Sequence, residues 1–321
     1  MVGGGITVTR PHAVALVGAT ATGKSALGER LARALDAEVV CCDSRQVFAE
    51  LELGTGKPSS AERAAWPHHL FDALRLGGHA SAGWFARAAG EACAAIRQRG
   101  RLPLLVGGSG LYLRALSEGL APTPPHDPDL RRRLRAELDA LGPEALHARL
   151  AAVDARTAGR LSPRDRQRIG RALEVHELTG QPLSWWHERT PAAPAGATWM
   201  VLEIVVDPAE LRRRISLRTA WMFTHGLVEE TRALRDAGAR EALGALRAIG
   251  YDEAMEMIEG RLDRSMAEAR VNLRTARLAK RQRTWFRHQG EGLRLEATGS
   301  DPELLERAAI ELLRGAGLAV G

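Results

Sequence analysis

Two hydrophobic rhythms alternate along the first part of the chain. "AVALVGAT" (13–20), "AEVVCCD" (37–43) and "LPLLVGG" (102–108) are short, nearly unbroken apolar runs ending in small or acidic residues. That is the pattern of strands buried on both faces of a sheet. Between them, "SALGERLARAL" (25–35) and "SAGWFARAAGEACAAIRQRGR" (81–101) carry apolar residues at helical spacing. "WMVLEIVVD" (199–207) is a fourth strand-like run. Asp207, Pro208 and Glu210 behind it fill the cap, first and third positions of a helix start. Strands alternating with helices predict a parallel sheet with helices on both faces.

The rhythm changes between the third and fourth runs. "APTPPHDPDL" (121–130) is a proline-rich break, and only helical signals follow it up to a second break, "TPAAPAGAT" (190–198). We read residues 1–122 as the first part of an α/β core and 123–198 as an inserted all-helical module. Residues 199–321 are then the second part of the core, helical from Pro208 almost to the end. No internal repeat or low-complexity tail is present. The start, "MVGGGITVTR", lacks the basic-then-apolar pattern of a signal peptide. No apolar run approaches the roughly 18 residues a membrane helix needs. A cytoplasmic protein without a membrane segment is expected.

Composition adds little to this and excludes something. With 45% hydrophobic and only 4% aromatic residues, the core should be aliphatic. Lys and Arg number 45 against 39 acids, a net charge of +6 that fits an anionic partner without establishing one. Cys41, Cys42 and Cys93 form no CxxC pair and no disulfide framework, as in a reducing compartment.

The chemistry begins at "GATATGKS", Gly18–Ser25, which matches G-x4-G-K-[ST] between a strand and a helix. Its glycines let backbone N–H groups converge on phosphate oxygens at a positive helix end. Lys24 adds a charge, and the Ser25 hydroxyl can meet Mg²⁺. The fold class is therefore a P-loop NTPase-like parallel-sheet core. Asp43 lies 19 residues beyond Lys24 at the end of the second strand, where open α/β sheets place their sites. It reads either as a turn-capping Asp or as a carboxylate aimed at the phosphate crevice. Gly107-Gly108-Ser109-Gly110, after the third strand, is a further loop on that edge. "RTARLAKRQRTWFR" (274–287) is basic without one acid, and Arg164, Arg168 and Arg171 recur at helical spacing after Ser162-Pro163. Two such stripes suggest a clamp on a nucleic-acid backbone. His68-His69 belong to a turn or substrate loop rather than a metal pair.

Several stretches together resemble the tRNA dimethylallyltransferase (isopentenyltransferase) family, bacterial type. They are "GATATGKS", "DSRQVF…LGTGKP", "WPHHLFD", "LPLLVGGSGLYLRAL", "DRQRIGRALEV", "RISLRTAWMFTHGLVEE", "IGYDEA" and "RTARLAKRQRTWFR", in the family's order. The resemblance implies that the loop holds the diphosphate of dimethylallyl diphosphate, through Gly18, Thr20, Ala21, Thr22, Gly23, Lys24 and Ser25. Asp43 would be the general base for an exocyclic amine, Arg218 and Ser109 would be catalytic, and Ser25 would hold Mg²⁺. It implies tRNA contacts, on the anticodon stem-loop, by Asp43, Ser44, Arg45, Gln46 and Ser109 and by Arg131, Gln167, Arg168, Ile169, Gly170 and Arg171 of the insertion. Arg247, Gly250, Tyr251, Arg277, Lys280 and Arg281 would add to them from the second part of the core. A monomer is expected. Val47-Phe48, Glu50, Gly83-Trp84 and Arg164 depart from the family pattern. The residues alone leave two rivals open, a small-molecule P-loop kinase and a non-catalytic RNA-binding P-loop protein.

Overall fold

A computed structural model describes residues 11–191, 198–289, 292–299 and 301–318. The decapeptide at the start and most of the second proline-rich break lie outside these. Among the described residues, six parallel strands form one sheet: β1 (Ala13–Gly18), β2 (Ala37–Cys41), β3 (His68–His69), β4 (Leu102–Gly107), β5 (Trp199–Val205) and β6 (Leu293–Glu296). Their order is β3-β2-β4-β1-β5-β6. β1 is central, with Leu16 opposite Val106 on one side and Leu202 on the other.

The unbroken apolar runs follow from that position, because both faces of β1 are covered. Val14 and Leu16 point into a cluster with Leu104, Leu202, Leu27, Leu31 and Leu313. Ala13, Ala15 and Val17 point the other way, toward Phe85, Ile96, Tyr112 and Phe286. A third cluster, around Phe48, Leu51, Leu227, Tyr251 and Val271, lies under the loop that follows β2. Burial of such aliphatic and aromatic side chains is worth about 1.5–3 kcal/mol each, and it fixes the edge from which the loops after β1, β2 and β4 emerge.

Two compact units are present, one of residues 1–117 with 196–321 and the other of 118–195. The second unit is helical among its described residues and has its own core of Leu134, Leu138, Leu146, Leu150, Ile169 and Leu173. Its helix Pro128–Leu141 is capped by Asp127, which accepts from Leu130 N at 2.7 Å. The helix Arg166–Thr179 starts behind Asp165, which accepts from Arg168 N at 3.1 Å, rather than at Ser162-Pro163.

Two expectations about elements are corrected. His68-His69 are a two-residue edge strand paired with Val39 and Val40, not a turn. His69 Nε2 lies 2.6 Å from the buried Glu38 carboxylate, so partners from β2 set a conformation that so short a run cannot set for itself. The chain after Pro208 is not all helical either, because "LRLE" forms β6 beside β5. Four residues are too few for either period to declare itself. No helix of the described residues is long and apolar enough to cross a membrane.

Candidate active site

The loop from β1 to the helix Lys24–Ala34 needs unusual backbone. Gly23, at the cap position, has φ 94°, and Ala21 is held at φ 64°, a region that costs a residue with a Cβ of order 1 kcal/mol. No side chain caps this helix and its first turn carries no acid, so its N–H groups and positive end are left to an anion. The Thr22 hydroxyl donates to Ala19 O at 2.9 Å, and Lys24 Nζ donates to the same oxygen at 2.5 Å. Desolvation of its ammonium lowers Lys24 to about 8, against the pull of Asp43 upward and with Arg218 pushing the same way as burial. Arg218, from the helix Pro208–Thr224, donates to the Thr20 hydroxyl at 3.1 Å. Burial holds it below its ordinary value, opposed by Asp43. A cationic pair thus lies at an uncapped helix end, and the Asp43 carboxylate acts on both of its members.

Asp43 and Ser109 sit on adjacent loops and interlock. Ser44 N donates to Ser109 Oγ at 3.1 Å, and Ser109 N donates to Cys42 O at 3.1 Å. Gly107 permits this approach, since a Cβ there would lie 2.0 Å from Cys42 O. One Asp43 oxygen accepts from Arg45 N at 2.8 Å, so the turn-capping role is real and fixes where the carboxylate sits. The sheet edge therefore gathers Lys24 and Ser25 from the start of one helix, Asp43 and Ser109 from two loops, and Arg218 from a second helix.

The residues expected to meet RNA divide into groups. Arg277, Lys280 and Arg281 are exposed on the 25-residue helix Arg264–His288 and have no acidic partner among the described residues. Arg247 is exposed, with φ 49°. Arg45 instead donates to Leu246 O at 2.7 Å, and Gln46 to the Thr55 and Gly56 carbonyls. Tyr251 is 1% exposed, its hydroxyl donating to Glu230 at 2.5 Å. Gly250 N donates to Glu253 at 2.8 Å. In the helical unit Gln167 and Arg168 are exposed, Arg131 and Gly170 are half-buried, and Ile169 is core. The side chains of Tyr251 and Ile169 are thus packing groups.

Neither basic stripe is free of acids in space, although 274–287 holds none in sequence. Arg274 pairs with Asp252 and Glu253 at 2.8 and 2.6 Å. Arg171 pairs with the buried Glu174 at 2.8 Å and also donates to Pro124 O. Arg168 meets Asp165 at 3.4 Å, and Arg164 meets Glu144 at 3.3 Å. For Arg274 and Arg164 the acids come from other helices, so a local run of sequence cannot show them. Arg171 and Arg168 find theirs three residues away.

Sequence reasoning missed Gln282. Its side chain accepts from Thr20 N at 2.9 Å and donates to Gly108 O at 3.0 Å, joining the first loop to the third. The signal available was its spacing from Leu278 and Trp285, which puts it on the inward face of the basic helix.

A family model described as IPP transferase matches residues 46–289, and one described as isopentenyl transferase matches 11–66. A tRNA dimethylallyltransferase of Halorhodospira halophila is 49% identical over 286 residues, covering 88% of this chain and 92% of the relative. The chain belongs to the tRNA dimethylallyltransferase family. Another member, from Stenotrophomonas maltophilia, is 43% identical over 92% of the chain and 94% of its own length. Among solved structures, the tRNA isopentenylpyrophosphate transferase of Bacillus halodurans covers 95% of the chain and 98% of itself, at 32% identity and a TM-score of 0.66. A eukaryotic dimethylallyltransferase acting on tRNA shares the fold at 24% identity and a TM-score of 0.78, with 96% of this chain and 80% of that one covered.

Of the positions read above as departures from the family pattern, three are held by their surroundings. Phe48 is fully buried, and Glu50 accepts from Leu76 N and pairs with Arg75. Trp84 packs against the clusters on both sides of it.

Proposed function

We propose that this enzyme transfers the dimethylallyl group of dimethylallyl diphosphate to the exocyclic N6 amine of the adenosine 3′ of the anticodon in tRNA. The observation that carries the proposal is the meeting of Lys24, Arg218, Asp43 and Ser109 at one edge of the sheet. The uncapped helix end and Lys24 bind the diphosphate, and Arg218 stabilises the negative charge that gathers on it as the allylic C–O bond breaks. The amine forms the new C–N bond and loses a proton, which Asp43 accepts. The Ser109 hydroxyl, aligned by Ser44 N, positions the base near Asp43. The base has to leave its stack to reach this edge.

Mg²⁺ fits the Ser25 hydroxyl, because this hard cation is commonly held by few protein oxygens with the rest of its shell from phosphate and water. When bound it would add charge stabilisation at the diphosphate. Arg277, Lys280, Arg281 and Arg247 grip the anticodon stem-loop from the core, and Gln167, Arg168, Arg131 and the backbone at Gly170 offer a second surface on the helical unit. Backbone recognition of this kind needs no base edge. A cytoplasmic monomer is in keeping with the reading.

The small-molecule kinase predicts ATP turnover without RNA, and the RNA-binding protein predicts binding without transfer. Incubation with labelled dimethylallyl diphosphate or labelled ATP, with and without tRNA, separates the three. The prenyl label should move to tRNA only when both are present. Turnover of ATP alone, or no transfer at all, would overturn the proposal.

A further inference from the structure

Gln282 reaches from the basic helix to both the loop after β1 and the loop after β4. Its carboxamide meets a pure donor, Thr20 N–H, at 2.9 Å and a pure acceptor, Gly108 C=O, at 3.0 Å. Those partners fix which end is oxygen and which is nitrogen. The Thr20 N–H is thereby used by Gln282, while its hydroxyl takes Arg218 at 3.1 Å. Thr20 is thus pinned on both sides, directly before Ala21 at φ 64°. A strained residue keeps its conformation only when its surroundings over-determine it, and these two contacts do so.

The fit on the other loop is equally close. A Cβ on Gly108 would lie 2.2 Å from Gln282 Nε2, and one on Gly110 would lie 2.1 Å from the Trp285 ring. One turn beyond Gln282, Trp285 is covered by the Arg114 guanidinium, 5.3 Å from its ring centre. The helix therefore seats against the loop that carries Ser109 through two side chains spaced for one face.

We infer that Gln282 is a positioning residue: it sets the distance between the diphosphate cradle and the Ser109 loop, so that leaving group and acceptor base are held in reacting register. This rests on the transfer reaction proposed above. Gln282 touches neither substrate in this account, and it acts through Thr20 and Gly108. No other side chain among the described residues donates or accepts at both loops. Isosteric replacement by a carboxylate keeps the acceptor for Thr20 but loses the donor for Gly108.

The test compares wild type, Gln282→Met, Gln282→Glu, Gly108→Ala and Gln282→Met/Gly108→Ala in the full chain. Gly108→Ala is chosen because its methyl displaces the Gln282 amide. Each Gln282 variant should lose about 10–100-fold in kcat/KM for dimethylallyl diphosphate, the scale of a small misplacement of reacting groups, with tRNA affinity within about twofold of wild type. The double variant should be no worse than the poorer single one, because both break the same contact. Wild-type kcat/KM in both Gln282 variants, losses that multiply in the double, or a loss explained by the unfolded fraction at the assay temperature would each overturn the inference. Binding of inorganic diphosphate without RNA separates it from the reaction itself. If wild type fails to transfer the prenyl group, the reaction is wrong, and weaker diphosphate binding by Gln282→Met would still show the cradle held by Gln282.

Discussion

At the sheet edge each charge is anchored. Lys24 is bonded to Ala19 O, Arg218 to Thr20, and Asp43 to Arg45 N. On the outer face of the helix Arg264–His288, Arg277, Lys280 and Arg281 have no such tie among the described residues and stand exposed. Chemistry needs groups fixed to a fraction of an ångström before the substrate arrives. A polyanion needs only mobile cations within reach, since what drives binding is release of its condensed counterions. The same residue type, arginine, serves both ends, and its anchoring tells the two apart. The helical unit gives a third state. Arg171 is anchored to a buried acid and supports its own fold, whereas Arg168 is exposed with one loose ion pair.

The largest expected effect is at the anchored end. Asp43→Asn keeps the acceptor for Arg45 N and loses the basic carboxylate, so kcat should fall about 10²–10⁴-fold. Affinity for tRNA, by filter binding or fluorescence, should stay nearly unchanged. Near-normal turnover would leave Asp43 with its turn-capping role alone.

Next comes the exposed end. Arg277→Ala/Arg281→Ala should weaken tRNA binding and flatten the log–log salt slope by about 0.7–0.9 per lost phosphate contact. Single-turnover transfer on saturating tRNA should be spared. An unchanged slope would mean an ordinary solvated face.

A smaller effect is pH-dependent. With Lys24 at about 8 in the free site, a bound diphosphate favours its charged form and raises that value. Binding therefore takes up a proton above pH 8, and affinity falls as pH rises through 8. The loss should be about twofold at pH 8 and about tenfold at pH 9. Titration calorimetry with inorganic diphosphate checks this, and Lys24→Arg should flatten the dependence.

In the helical unit the split is between stability and grip. Arg171→Met leaves Glu174 with His126 and Asp127 N as its partners and should cost about 1–3 kcal/mol in denaturant unfolding. Arg168→Ala should cost under about 1 kcal/mol of stability and remove one unit or less from the salt slope. Equal stability losses would erase the distinction.

What the sequence shows follows the same division. Gly18–Ser25 and Asp43 are legible because a phosphate cradle needs consecutive residues and a strand end needs only the next one. The four long strands are legible because both faces of each are buried, whereas β3 and β6 take their conformation from neighbours. The partners of Arg274 and Arg164 lie on other helices, and Gln282 hides in a run of arginines. Gly250-Tyr251, which the resemblance gives as contacts, form a helix start over a core tyrosine. The family resemblance names such positions without saying which atoms they use.

The most direct test of the separation is single-turnover transfer from labelled dimethylallyl diphosphate to saturating tRNA, with tRNA affinity measured on the same samples of Asp43→Asn and Arg277→Ala/Arg281→Ala. The account predicts that the first loses rate and keeps affinity, and that the second loses affinity and keeps rate. Rate and affinity falling together in both variants would contradict it.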